Sequence, residues 1–284
     1  MSRRGLFLFA SLSVIWGLPY LFIKFAVAEL DPAVTVFLRT LPSSALLLAY
    51  GAMRGTLRAN LRYWKYAVAF AIVEMVFPWW WVSRAEQEIS SGLTGLLLAT
   101  VPIFGVVIAR LRGQRDALSA RRLVGMVIGS VGVALLVGLD SAALNVTALP
   151  VLMVLGAAFG YALGPVVISR LDGVADSATL IGMSLAVVSV VYVPIVVPRW
   201  PDAMPSAQAV WSLVVLTLVC TVAAFLTFFA LIAEIGPVRA TLVTYLNPAV
   251  ALLLGLIFAS EPLTLGVALG FPLVLAGSYF ATRQ

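Results

Sequence analysis

Residues 208–233 read QAVWSLVVLTLVCTVAAFLTFFALIA, 26 consecutive positions without an Asp, Glu, Lys or Arg. A helix rises about 1.5 Å per residue, so roughly 20 apolar residues cross the hydrocarbon core of a bilayer. In lipid, backbone N–H and C=O groups find partners only within a helix or a closed barrel. A single unbroken apolar run of this length is a helix signal, not the short alternating signal of a barrel strand. The segment therefore reads as a membrane-spanning helix and decides the fold class: all-α integral membrane.

Nine further runs of the same kind lie outward from it, near 5–28, 32–53, 64–83, 89–109, 119–139, 147–169, 177–197, 237–259 and 263–282. With 208–233 they make ten expected transmembrane helices, joined by short connections that hold most of the Pro, Asp, Glu and Arg. The composition agrees: 62% of the 284 residues are hydrophobic and 11% charged, against about 25% charged in a soluble domain. The opening MSRRGLFLFASLSVIWGL has the layout of a signal peptide, with Ala26-Val27-Ala28 resembling a cleavage site. Its apolar stretch is longer than a typical signal core and contains Pro19 and Lys24, which favours a retained first helix.

Several function classes drop out early. There is no histidine and one cysteine, Cys220, which removes His-based acid–base and nucleophile chemistry and any internal disulfide. No G-x-x-x-x-G-K-[ST] string is present, so the chain is not expected to hydrolyse ATP through a P-loop. No enzyme activity, cofactor or metal site is expected. The net charge of +6 does not point to nucleic acid, because the basic residues sit between apolar runs and act as topology signals. With the N-terminus placed inside, fourteen of the eighteen Lys and Arg fall in inside connections, and only Arg84 and Arg199 fall outside. Lys24 and Arg39 lie within helices. Both termini are therefore expected in the cytoplasm.

The two halves echo each other. Glu88-Ile89 stands 14 residues before Pro102, and Glu234-Ile235 stands 14 before Pro248. Leu118, Gly125 and Gly132 match Leu263, Gly270 and Gly277 at a constant offset of 145. These matches divide the chain into 1–142 and 143–284, each a repeat of five helices. Five is odd, so the repeats enter the membrane with opposite orientation, an architecture whose solute site lies near the midplane where the repeats meet. Pro102 and Pro248, in corresponding helices, are the expected helix breaks beside that site.

Charged and polar residues inside the runs are the candidates for binding, because each is costly in lipid unless paired or wet. Trp16, Tyr20 and Lys24 are spaced by four and share one helical face, a stripe of aromatic area, a hydroxyl and a cation. Lys24 suits the carboxylate of an organic solute; an interfacial aromatic belt is the plainer reading of the stripe. Glu74 is the deepest acid, suited to an ammonium group or a proton, and Pro78 one turn later leaves a backbone carbonyl free beside it. Arg39, a third of the way along its helix, is expected to reach outward to the headgroups. Trp79-Trp80-Trp81 reads as a belt. Tyr161, Tyr245 and Asn247 complete the expected lining, in a cavity formed by helices 1, 3, 4, 6, 8 and 9. Small residues at Gly51/Gly55, Gly125/Gly129, Gly156/Gly160, Gly160/Gly164 and Gly266/Gly270 are spaced for close helix packing.

The helix-1 string ending in Lys24, the prolines at 102 and 248, Glu261 just before the tenth run and the glycines seven apart resemble the drug/metabolite transporter superfamily. Within it the chain is similar to the ten-helix EamA-type exporters, and to bacterial aromatic amino-acid exporters in particular. That resemblance implies inner-membrane residence and efflux of amino acids or similar small metabolites without ATP hydrolysis, protons being the candidate coupling ion and no protein partner being obligatory. Asp116 stands where Glu261 stands in the second half, with Arg115 beside it. Small multidrug relatives use a glutamate in their first helix, and this first helix has none. Efflux of cationic drugs or dyes, with Glu74 and the aromatics as a cation site, is the alternative expectation.

Overall fold

The Ser2 hydroxyl accepts from the Gly5 N–H and so starts a helix that runs from Arg3 to Val27. The structure is a computed structural model and describes residues 2–113, 120–144, 147–171, 174–236, 240, 243–244 and 246–282. Ten helical segments follow in order among the described residues: α1 (Arg3–Val27), α2 (Pro32–Met53), α3 (Trp64–Ala85), α4 (Ser91–Leu111), α5 (Ala120–Leu144), α6 (Ala148–Ile168), α7 (Ser177–Val196), α8 (Ala207–Ile235), α9 (Asn247–Phe258) and α10 (Leu265–Thr282). A short helix, Leu57–Leu61, lies between α2 and α3. Seven of the ten are long and apolar enough to cross a membrane; the apolar parts of α5, α9 and α10 are shorter.

Local chemistry sets the ends. Asp31, Ser90, Asp176 and Ser206 each turn a side-chain oxygen onto a first-turn N–H of α2, α4, α7 and α8, satisfying donors that the helix itself leaves orphaned. Gly55 follows the Arg54 cap of α2 with φ 70°, and no atom lies within 4 Å of where a Cβ would stand. It is a left-handed helix stop, which corrects the expectation that Gly51 and Gly55 pack together; Gly51 alone packs, against Thr179 of α7.

Two helices each widen over six residues. Ala71–Val76 in α3 and Leu218–Ala223 in α8 are both six-residue π-helical segments, offset by 147 (218 − 71 and 223 − 76). A π turn loosens the backbone ladder, and side chains take up what it frees. Tyr192 donates its hydroxyl to Val76 O at 2.7 Å, and Thr221 donates to Leu216 O at 2.7 Å. The fourth expected run is not one continuous helix. It stops at Leu98, turns through Ala99 and Thr100, and resumes at Val101, because Pro102 has no N–H to offer Leu98 O.

Packing pairs the halves with each other: α2 lies along α7, α4 along α9, α5 along α10, α3 along α6, and α1 along α8. The α5–α10 seam closes where Gly129 meets Gly277 backbone to backbone, and a Cβ on Gly132 would stand 2.8 Å from Val274 N. Small-residue contact of this kind is how helices approach without a hydrophobic driving force. One core cluster centres on α4 and α6 around Leu93, Leu96, Leu97, Val154 and Ala157, and a second on α2, α3 and α7 around Val34, Leu47, Met75 and Leu185.

The connections gather into two sets. Glu29 accepts from Ser206 N at 2.7 Å, Arg199 pairs with Asp31 at 3.8 Å, and Glu261 reaches Ser91. At the other end Asn60 donates to Asp176 O at 2.7 Å, Thr56 meets Thr179 at 2.7 Å, and Ser2 meets Glu234. Hydrogen bonds from Ser206 hold the exposed Glu29 carboxyl below its ordinary pKa.

Candidate functional site

Tyr161 of α6 packs against both core clusters and so marks the place where they join. Its ring lies within electrostatic reach of Tyr20, Glu74, Arg39 and Glu86. Polar side chains from α1, α2 and α3 thus act on this one ring of α6.

Glu74 sits inside the π segment of α3, half-buried, with its Oε2 wholly buried and without a hydrogen-bond partner among the described residues. The approach of α6 makes room for it. A Cβ on Gly164 would collide with the Glu74 carboxylate, and one on Gly160 would stand 2.5 Å from Val73 O and 2.7 Å from Pro78 Cγ. Pro78 is buried at this crossing and, having no N–H, leaves Glu74 O without its helical donor.

Arg39 does not reach outward, as its position in the run suggests; it is 8% exposed. Its guanidinium stacks 3.9 Å above the Trp79 ring, and its Nε donates to Thr221 Oγ1 at 2.8 Å. Thr221 can accept there because its own proton goes to Leu216 O, freed by the π turn of α8. No Asp or Glu pairs with Arg39 among the described residues, and its two Nη atoms make no hydrogen bond there. The buried Trp79 is consequently not part of a belt, whereas Trp81 is half-buried and packs over Gly156.

Lys24 is placed differently from the expected carboxylate binder. Its ammonium donates to Glu86 O at 2.8 Å and Ile89 O at 2.7 Å, tying α1 to the α3–α4 connection. Glu86 itself is fully buried, with neither carboxyl oxygen hydrogen-bonded among the described residues. Burial pushes its pKa well above the ordinary carboxyl range, against the opposing charge of Lys24. Beside it, Glu261 accepts from Ser91 N at 2.6 Å and Gly92 N at 3.1 Å, an acid on the positive N-terminus of α4.

The remaining expected residues divide. Tyr20 faces the centre, within electrostatic reach of Arg39, Glu86 and Cys220. Trp16 instead packs on Phe228 of α8, rings 4.8 Å apart, in a separate cluster around Leu12 and Leu231. Asn247, its amide turned to donate, bonds Val243 O at 2.9 Å and Ser13 O at 3.1 Å, so it joins α9 to α1. Pro248 is buried at the start of α9 and Pro102 opens the second part of α4. Tyr245, Arg115 and Asp116 lie outside the described residues. Thus Tyr20, Glu74, Pro78 and Tyr161 come together, while Lys24, Trp16 and Asn247 bond or pack elsewhere. Arg39, Trp79, Thr221 and Glu86 are additions from the structure. For Arg39 the signal was already present: a charge in an apolar run.

Among the described residues no group of three or more His, Cys, Asp or Glu side chains could hold a metal ion. The arrangement is suited instead to binding an organic solute that carries both charge and apolar surface.

Comparison with known proteins returns transporters. The family model described as the EamA-like transporter family matches twice, over residues 3–138 and 148–283. An uncharacterized inner membrane transporter of Escherichia coli (strain K12), YedA, is 30% identical over 260 residues, covering 89% of this chain and 82% of the relative. An uncharacterized transporter of Bacillus subtilis (strain 168), YvbV, is 22% identical over 278 residues, covering 96% and 90%. A crystal structure that is 18% identical matches with a TM-score of 0.68 over 98% of this chain and 96% of its own, a likeness of fold alone.

Proposed function

This chain belongs to the EamA-like transporter family, and we propose that it is a secondary transporter of a bacterial inner membrane. In this reading it exports amino acids, aromatic or hydrophobic ones above all, or related small metabolites. Transport runs by alternating access between two inverted five-helix repeats, 1–142 and 143–284, planted with both termini in the cytoplasm. The two family matches support the duplication. So do the paired π segments and the helix partners: second with second, fourth with fourth, fifth with fifth, and first with third in both directions. A two-fold axis in the membrane plane would produce that pattern.

One observation carries the solute reading. Arg39, Tyr20, Tyr161 and Glu74 bring a cation, two hydroxyls and an acid to the join of the two cores, and their polar heads are unbonded among the described residues apart from Nε of Arg39. Aromatic and apolar surface surrounds them. A small molecule with charged ends and an apolar side fits this chemistry. Glu74, with an orphaned oxygen and Pro78 one turn away, is the candidate for ammonium contact or for carrying a coupling proton. The same acid favours a second reading, efflux of cationic drugs or dyes.

Proteoliposomes loaded with radiolabelled amino acids test the proposal. Saturable efflux that is stimulated by external solute and altered by a proton gradient is expected. Failure of every amino acid to move, with dye efflux lost in Glu74→Gln, would replace the first reading with the second.

A further inference from the structure

Among the described residues no opposite charge neutralises Arg39. A guanidinium stays charged in any protein environment. Placed within a membrane-spanning helix it is costly unless paired or wet. Here the side chain is more than nine-tenths buried, yet no carboxylate pairs with it among the described residues. What it does have orients it. The Trp79 face fixes the plane of the guanidinium at 3.9 Å, and Thr221 takes the Nε proton at 2.8 Å. Ser43 donates to the Arg39 carbonyl at 2.7 Å, steadying the helix below. That leaves the Nη edge, the edge with two parallel N–H donors that match a carboxylate, without a hydrogen bond among the described residues, with Cys220, Tyr161 and Tyr20 within electrostatic reach of the guanidinium.

Lys24, a cation within the apolar run of α1, is differently occupied. Lys24 gives two of its donors to the carbonyls of Glu86 and Ile89. Glu74 and Arg39 both act on the Tyr161 ring, and no salt bridge joins the two among the described residues.

We propose that Arg39 is the carboxylate-recognition residue of the solute site, pre-oriented by Trp79 and Thr221, and that the transported class is organic carboxylates, including amino acids. This deepens the amino-acid reading and rests on it for the location of the site. It assigns to Arg39 the role that the sequence suggested for Lys24, and it disfavours cationic drugs, which would bring a second positive charge against an uncompensated guanidinium.

The test uses the purified full-length protein and reads binding separately from transport. Thermal stabilisation is measured with three probes of one shape: phenylalanine, 3-phenylpropionate, which lacks the ammonium, and phenethylamine, which lacks the carboxylate. The two acids are expected to stabilise the wild type and the amine not to. Arg39→Gln is expected to weaken the acids about ten-fold or more, the loss of a charge-assisted bidentate contact. Arg39→Lys keeps the charge without the fork and is expected to fall between. Should Arg39→Gln not fold, the wild-type comparison of acid with amine still decides. Stabilisation by phenethylamine equal to that by the acids, or undiminished acid binding in Arg39→Gln, would overturn the assignment. Counterflow of the same probes in proteoliposomes reads the exporter proposal alone: acids that bind but do not move would refute the exporter and leave the recognition residue standing.

Discussion

Glu86 is buried to the last atom of its carboxyl, and the charge beside it, Lys24, gives its donors to backbone carbonyls. Burial raises the folded-state pKa well above the ordinary value, which is near 4.3 in an unfolded chain. Below the unfolded value both states hold the proton and there is no penalty. As pH rises through and above it, the unfolded chain ionises freely while the fold resists, so stability falls until the folded-state pKa is passed. Glu86→Gln removes that penalty while keeping the shape. The variant is expected to be more stable than the wild type at pH 8, by about 1–3 kcal/mol, with the difference disappearing near pH 4. Thermal unfolding in detergent across that range measures it. At this scale the sequence was only partly readable. Glu74, Pro78, Tyr20 and Tyr161 follow from the rule that polar groups in apolar runs have work to do. Arg39 obeyed the same rule, but snorkelling explained it as well, and only the positions of Trp79 and Thr221, on two other helices, separate the two accounts. Lys24 misled because nothing in its own helix tells of carbonyls contributed by residues 86 and 89.

At the scale of the element, the crossing of α3 over α6 is the tightest contact beside the site. Val73 O and Pro78 lie against Gly160, and the Glu74 carboxylate lies against Gly164. Gly160→Ala would place a methyl 2.5 Å from a backbone oxygen that cannot rotate away, so the helices must part. A loss of about 1–3 kcal/mol is expected, together with reduced transport, because separation of α3 from α6 moves Glu74 away from Tyr161; calorimetry of the purified variant and flux in vesicles report the two effects. The small-xxx-small spacing made this contact legible in the sequence, but not which of the spaced glycines pack. Gly55 has the same spacing from Gly51 and is a helix stop instead. The interruption of α4 was legible from Pro102. The π segments were not, since Ala71–Val76 and Leu218–Ala223 hold neither proline nor glycine, and widening of a helix has no composition of its own.

Across the whole molecule, the two sets of connections alternate along the chain, and Arg54, Arg58, Arg62 and Lys65 belong to the set that meets the N-terminal segment. Such a bias sets orientation by resisting translocation of positive loops. In a Cys220→Ser background, single cysteines at Ser2 and beyond Thr282 are expected to be shielded from an impermeant thiol reagent in intact cells, and one at Ala203 to be labelled. Labelling of Ser2 and the C-terminal end on different sides would overturn the proposed inverted arrangement. The all-helical membrane class was the most readable feature at any scale, because bilayer thickness demands long apolar runs, and seven of the helices have that length and composition.

The π segments carry a geometric consequence for any mapping of these two helices. An α-helix turns about 100° per residue, and a π turn accommodates one residue more than the α-helical count. A helical wheel drawn without interruption through Trp64–Ala85 or Ala207–Ile235 is therefore out of phase by about one residue's rotation after Val76 and after Ala223. Stripes of solvent-reactive positions along each helix should be read as two arcs with an angular step between them, and the step falls within the segments that hold Glu74 and Thr221.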